Sequence, residues 1–322
     1  MLNRTRILLT GGTGSFGYAF VRMTLDKFDP EQIIIYSRDE MKQWEMANKF
    51  NHNPKLKFII GDIRDYQNLY KAVNESDYVV HAAATKIVPL AETNPAECIK
   101  TNVIGAMNLI DASVNSKVRK VVSLSTDKAS NPVNLYGASK LASDKLFVAG
   151  NTKFTKFSVV RYGNVIGSRG SVIPLFMSLK DSGVLPITDK RMTRFMITLE
   201  ESIELVWHVL NDMNGGEIYT KKIPSMLVTD IAKAINPKAE HKIIGIRPGE
   251  KIHEQMISID DAPFTYEYKD YYKIIPATYT LDEKNQSIKD GKLVDTSFIY
   301  SSDNNHDWMS VDDLKIKIKI EL

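Results

Sequence analysis

Cysteine is almost absent from this chain. Cys98 is the only one in 322 residues, so no internal disulfide can form, no CxxC pair exists, and a reducing cytoplasm is the simplest setting. Long apolar runs are missing as well. None reaches the roughly 18 residues that suggest a membrane-crossing helix, and Asn3-Arg4-Thr5-Arg6 leads into only four or five apolar residues, too few for the core of a signal peptide. A soluble protein without a membrane partner is expected. Charge of one sign is not in excess: 42 basic against 39 acidic residues leave a net +3. That gives no broad basic field, so nucleic acid is a poor partner and any anion must be held by local groups. His81 has no second histidine or carboxylate at metal-ligand spacing, so it reads as structural and no metal is expected. Internal repeats and low-complexity linkers are also lacking.

What is present is an ordinary 43% of hydrophobic residues, on a chain long enough for a large α/β core and a second lobe. Ile7-Leu8-Leu9-Thr10 reads as a buried strand that runs into Gly11-Gly12-Thr13-Gly14-Ser15-Phe16-Gly17, and a helical pattern follows through Tyr18, Phe20, Val21 and Leu25. Glycines at 11, 14 and 17 let a backbone approach a pyrophosphate at a helix N-terminus, and Ile33-Ile34-Ile35-Tyr36 completes the βαβ unit, so dinucleotide binding is expected here. An acid at the end of that second strand would bond ribose hydroxyls and repel a 2′-phosphate. Ser37-Arg38 stands there instead, with Lys42 nearby, which points to NADP rather than NAD. Leu56 to Asp62 reads as a third strand. Tyr78 to Ala84 reads as a fourth, whose small Ala82, Ala83 and Ala84 leave room for the cofactor. Lys86 follows at the same sheet edge.

The densest chemistry lies between Ser125 and Lys140. Lys120 to Leu124 reads as a buried strand, so Ser125, Thr126, Asp127 and Lys128 emerge at its C-terminal end, where ligands bind in open α/β sheets. Tyr136-Gly137-Ala138-Ser139-Lys140 opens a helix and places Tyr136 and Lys140 one turn apart on one face. A tyrosine ionises near pH 10 in water, so a neighbouring ammonium is a direct way to make it a base near neutrality. Farther on, Phe157 to Tyr162 reads as a sixth strand, and Gly163-Asn164-Val165-Ile166-Gly167 departs into a smaller lobe. Ser168 to Pro174 and Leu185 to Arg194 combine turn residues with cations, as a diphosphate site requires. In Arg247-Pro248-Gly249-Glu250-Lys251, Arg247 can hold phosphate and Glu250 can accept from ribose hydroxyls. Candidate substrate contacts are therefore Lys86, Asn164, Val165, Thr188, Arg194, Arg247 and Glu250.

Together, T-G-G-T-G-S-F-G, I-I-Y-S-R-D-E, H-A-A-A, S-T-D-K-A-x-N-P-x-N-L-Y-G-A-S-K, R-Y-G-N-V-x-G-S-R-G-S-V and R-P-G-E-K resemble the extended short-chain dehydrogenase/reductase superfamily. Within it the chain is similar to the inverting UDP-N-acetylglucosamine 4,6-dehydratases over nearly its whole length. The resemblance implies an α/β fold: a Rossmann-type doubly wound parallel sheet with a smaller α/β substrate-binding lobe. On that scheme residues 1–165 bind NADP, about 192–222 complete that domain, 166–191 and 223–280 form the substrate lobe, and 281–322 are a C-terminal tail. The resemblance further places Asp62-Ile63 against the adenine and gives Asn102 a supporting role behind the active site.

Retaining sugar dehydratases typically carry Asp-Glu where this chain has Asp127-Lys128, so the lysine is what assigns inversion at C5. The implied chemistry oxidises C4 first, with Tyr136 and Lys140 as base and helper and Thr126 orienting the hydroxyl. Lys128 then takes the C5 proton and Asp127 protonates the departing C6 hydroxyl. The implied pathway is pseudaminic acid synthesis, in a cytoplasmic homo-oligomer, dimer or hexamer, acting on UDP-N-acetylglucosamine or a close UDP-sugar. Thr85 and Ile87 depart from the family pattern beside Lys86. They leave open a sibling enzyme that forms or consumes a 5,6-ene sugar. A C4 epimerase and, in another class, a non-catalytic NADP-sensing regulator also stay open.

Overall fold

The computed structural model describes residues 1–168 and 170–321. Its first six strands alternate with helices: β1 (Arg6–Thr10), β2 (Gln32–Ser37), β3 (Leu56–Ile60), β4 (Tyr78–His81), β5 (Lys120–Thr126) and β6 (Lys156–Tyr162). They pair in parallel in the order β3-β2-β1-β4-β5-β6, and Ile218–Lys221 adds a seventh parallel strand beside β6. Helices cover both faces, which is why the central strands read as unbroken β-branched runs. Ile33, Ile34, Ile35, Val79, Val80, Val121 and Val122 are all fully buried. Strand order reverses between β1 and β4, and a crevice opens there at the strands' C-terminal ends.

The sheet is larger than the sequence suggests. Tyr271–Ile274, Thr265–Glu267 and Lys292–Leu293 extend it beyond Ile218–Lys221 as antiparallel strands, for a total of ten among the described residues. Residues 265–274 and 292–293 thus sit on the first domain's sheet, although the sequence scheme put them in the substrate lobe and the tail. The expected fourth strand is shorter too. It ends at His81, because residues 82–87 leave the sheet to form the wall of the crevice.

A second, smaller core gathers Ile166, Ile173, Phe176, Leu185, Ile187, Met196, Met226 and Ile231 above the strand ends. The tail helix Val311–Glu321 packs on helix Val228–Ile235 and inserts Leu314 into this core. Among the described residues, no helix is long and apolar enough to cross a membrane.

Candidate active site

A single cavity of about 1220 Å³ follows the strand ends from the Gly11 turn to the second lobe. At its first end β1 passes into helix Ser15–Lys27 through a turn in which Gly11 has φ +66°. A Cβ on Gly11 would stand 2.8 Å from the backbone of Ala83, so only glycine lets the two walls meet. Gly14 is the helix N-cap and supplies no side chain to the first-turn N–H groups. These donors and the helix dipole make an anion cradle. Gly11, Thr13, Gly14, Ser15 and Phe16 line the cavity, as do Ala82, Ala83 and Ala84. Gly17 does not. A side chain there would collide with the Gly12 backbone, so its part is to let the helix pack close to the turn.

Beyond the cradle, Ser37 accepts a 3.2 Å hydrogen bond from Thr13. Arg38 is 62% exposed and stands 3.7 Å from Asp62, which is held more closely by Arg64 at 2.7 Å. Lys42 pairs with Asp39 at 2.7 Å. All of these except Arg64 line the cavity, with Ile63 beside them. The cradle, the apolar slot at Ile63 and the exposed guanidinium fit a dinucleotide with its adenosine end toward Arg38.

The centre of the cavity is built by the end of β5 and by helix Leu135–Ala149. Asn134 caps that helix by accepting from the Gly137 N–H at 2.7 Å, and it donates to the Gly249 carbonyl at 2.7 Å. Gly137 packs against the Lys128 carbonyl more closely than a side chain would permit. Tyr136, Lys140, Thr126, Asp127 and Lys128 are thereby brought to one place. The Thr126 hydroxyl donates to Asp127 Oδ1 at 2.9 Å and lines the cavity together with the Tyr136 phenol.

Electrostatics here differ from expectation in one respect. Burial pushes the Tyr136 phenol up to about 12, and the cation that opposes this is Lys128, not Lys140. Lys140 is only 3% exposed, and burial lowers its own ammonium below the usual lysine value while Asp144, one turn on, raises it.

Lys128 Nζ lies 3.1 Å from Asp127 Oδ1 and 3.0 Å from Glu254 Oε1. Burial works against its ammonium, but the two carboxylates hold it above the ordinary lysine value. Asp127, 1% exposed, is driven above the usual carboxylate range by burial and by Glu254, with Lys128 opposing. Glu254 was not among the residues expected from sequence. It follows the R-P-G-E-K turn by three positions, and no local motif marks it.

Behind this group, Asp144 accepts from Ser125 at 2.8 Å and faces Arg161 at 3.5 Å. Asn102 lies in a π-helical turn and brackets Thr85, accepting from its N–H at 2.8 Å and donating to its carbonyl at 2.9 Å. It also donates to Ser139 at 2.9 Å, so it supports the wall next to Lys86. His81 is buried, bonded to Thr10 at 2.7 Å and held down to about pH 3 by burial.

The substrate candidates Lys86, Asn164, Val165, Thr188, Arg194, Arg247 and Glu250 all line the far end. Lys86 donates to Ser168 at 2.9 Å, while Arg169 beside it lies outside the described residues. Asn164 Oδ1 is buried without a partner. Arg247 and Glu250 bond each other at 2.9 Å, so the two residues read as separate phosphate and ribose ligands form one pair. Arg194 departs furthest from its expected role. It is 8% exposed and donates to the carbonyls of Thr193 at 2.6 Å, Ile252 at 3.1 Å and Lys251 at 3.1 Å, which makes it the tie that holds residues 251–254.

Residues 7–276 match the model of a family described as polysaccharide biosynthesis protein. The chain is 54% identical over 331 residues, 98% of its own length and 97% of the other's, to the UDP-N-acetylglucosamine 4,6-dehydratase (inverting) of Campylobacter jejuni subsp. jejuni serotype O:2. It is 44% identical over 280 residues, 83% of its own length and 82% of the other's, to the UDP-glucose 4-epimerase of Rickettsia conorii. Among solved structures, DesIV, a dTDP-glucose 4,6-dehydratase from Streptomyces venezuelae with NAD bound, superimposes with a TM-score of 0.70 at 26% identity, covering 77% of this chain and 86% of that one.

Proposed function

The chain belongs to the polysaccharide biosynthesis protein family and, within it, to the inverting UDP-N-acetylglucosamine 4,6-dehydratases, and from that premise we propose how its own residues carry the reaction. The substrate is UDP-N-acetylglucosamine or a close UDP-sugar. The product is UDP-2-acetamido-2,6-dideoxy-beta-L-arabino-hex-4-ulose, destined for pseudaminic acid and surface glycans. The reading rests most on one observation: a lysine clasped between two buried carboxylates, beside a tyrosine and a threonine, in a cavity that begins at a dinucleotide cradle.

When bound, the nicotinamide supplies the oxidant for C4 and the hydride returned to C6. Arg38, without an acid at the end of β2, supports NADP over NAD. Tyr136 takes the O4 proton, and Thr126, which lines the same part of the cavity, orients that hydroxyl. Oxidation at C4 acidifies the C5 proton, which Lys128 removes. Asp127 then protonates the departing O6, a role suited to a carboxyl whose burial favours the protonated form. Lys86, Asn164, Val165, Thr188 and the Arg247–Glu250 pair hold the sugar nucleotide, while Lys140 supports Tyr136 and the cofactor end. The enzyme works in the cytoplasm as a homo-oligomer. Exposed apolar side chains at Leu90, Ile104 and Met107 support such an assembly.

The two halves of this reaction separate by mutation. In a single turnover, Tyr136→Phe gives neither reduced cofactor nor product. Lys128→Ala gives reduced cofactor and stalls at a 4-keto sugar that keeps its C6 hydroxyl. A Lys128→Ala enzyme that binds substrate yet shows no reduced cofactor would move Lys128 to the oxidation step and overturn this assignment. The similarity to UDP-glucose 4-epimerases favours C4 epimerisation as the second reading. An epimerase uses Tyr136 but has no need of Asp127 and Lys128, so full epimerase activity in a Lys128→Ala protein would select it.

A further inference from the structure

In the mechanism above Lys128 must accept the C5 proton, yet its Nζ lies 3.1 Å from Asp127 Oδ1 and 3.0 Å from Glu254 Oε1, a setting that favours the ammonium. Its proton has two acceptors within hydrogen-bond distance, Asp127 Oδ1 and Glu254 Oε1. Asp127 must hold a proton of its own to release O6, so it cannot serve both needs. Glu254 is the remaining group.

Glu254 is built for the task. Its backbone is clamped from both sides, its N–H donating to Ser302 Oγ at 2.9 Å and its carbonyl accepting the Ser302 N–H at 2.8 Å. Ser302 is fixed in turn by Thr193 at 2.6 Å, which also meets His253 at 2.8 Å. The side chain is 2% exposed, and Oε2 is buried without a partner. Arg194 stands 3.7 Å from Oε1. The charged and titratable groups around Lys128 and Glu254 are Asp127 on the end of β5, Tyr136 on helix Leu135–Ala149, Arg194 on strand Thr193–Ile197 and Lys251 on the same segment as Glu254. Burial raises the Glu254 carboxyl, but Lys128 and Arg194 outweigh it and hold the group below the usual carboxylate range, so the resting pair is carboxylate and ammonium.

We propose that Glu254 is a positioning residue that governs the protonation of Lys128: it fixes the ammonium against Asp127 and takes one proton from it so that the freed amine can act at C5. One N–H bond of Lys128 breaks and one O–H bond forms at Glu254 Oε1. An ammonium and a carboxylate become an amine and a carboxylic acid, with no change in net charge. This rests on the dehydratase reading above, in which Lys128 is the base.

The test is the pH profile of kcat and, beside it, NMR titration of the Lys128 side chain, in wild type, Glu254→Gln and Glu254→Asp. Glutamine removes the Glu254 carboxylate beside Lys128, so the ammonium is less favoured. The limb of the kcat profile that reports Lys128, and its NMR titration, should both move to lower pH by at least one unit, a tenfold change in the equilibrium. Aspartate, shorter by one methylene, should give a smaller shift in the same direction. KM and cofactor binding should stay near wild type in both variants. If glutamine fails to fold, as loss of cofactor binding would reveal, the aspartate variant still carries the test. Coincident profiles, or a loss expressed only in KM, would overturn the proposal. Wild-type protein without any dehydration would instead sink the functional reading and leave the Lys128 titration to judge Glu254 alone.

Discussion

Arg194→Ala decides between two roles for one cation. The sequence suggests a diphosphate ligand, whereas the structure shows a guanidinium bonded to the carbonyls of Thr193, Lys251 and Ile252 and 3.7 Å from Glu254. Truncation leaves these carbonyls in a buried setting without their donor and takes from Glu254 one of the cations beside it, leaving Lys128 and Lys251. Breaking a buried pair by removing one partner costs about 3–5 kcal/mol, because the group left behind stays desolvated. The net hydrogen-bond contribution is already within that range, since the carbonyls and the carboxylate share one lost side chain. Urea unfolding followed by circular dichroism should show the loss as a lower midpoint at unchanged slope. Arg194→Lys should recover only part, because one ammonium cannot span carbonyls on two segments. Unchanged stability of Arg194→Ala with KM raised tenfold or more would refute this reasoning and return the residue to the substrate.

Other outcomes follow from the same geometry. Arg38→Asp should weaken NADP binding roughly ten- to a hundredfold, the loss of one charge-assisted contact worth about 1.5–3 kcal/mol, and improve NAD binding; fluorescence titration of both cofactors into both proteins checks it. Arg247→Ala should raise KM for the sugar nucleotide much more than it lowers kcat, since that contact is made equally in ground and transition states, as steady-state kinetics will show. Burial works to raise Asp212, but hydrogen bonds from Lys273 and Lys289, each at 2.6 Å, hold it down to about 2. Its stabilising effect is therefore complete above the ordinary aspartate value near 3.9 and lost as pH falls through about 2. Asp212→Asn should accordingly be less stable than wild type at pH 6, with the gap closing between about pH 4 and pH 2 in thermal melts.

Much of the site was legible because its residues lie at strand ends, and strand ends are marked in sequence. The apolar runs of β1, β2 and β5 lead into Gly11, Ser37 and Ser125 at or just past the strands' C-terminal ends, so a parallel sheet delivers all of them to one edge. Helical spacing likewise brought Tyr136 and Lys140 together. What escaped depended on contacts between distant segments. Glu254 reaches Lys128 only because Arg194, Ser302 and Lys251 fasten its segment, the last by donating to the Ser130 carbonyl at 2.6 Å. Helical spacing reports that Tyr136 and Lys140 are near each other but not how far burial raises the phenol, and burial acts on it more strongly than any single neighbouring charge. Residues 265–293 read as lobe and tail because their strands, Thr265–Glu267, Tyr271–Ile274 and Lys292–Leu293, are too short to stand out in sequence and pair antiparallel at the sheet edge. Alternation does not mark Tyr271–Ile274 either: Tyr272, Lys273 and Ile274 are all buried, and Lys273 finds Asp212 and the Ser287 carbonyl as partners.

The central claim is that this site removes water across C5 and C6 with inversion at C5. Incubation of the purified protein with UDP-N-acetylglucosamine in heavy water, followed by NMR of the nucleotide sugar, tests it in one tube. The account requires a 4-keto product with a C6 methyl that carries only protium, one solvent deuteron at C5, and the L-arabino configuration. A sugar that keeps its C6 hydroxymethyl group, gains no deuterium at C5 and differs only at C4 would contradict it. So would a 4-keto-6-deoxy product whose C5 retains its original configuration.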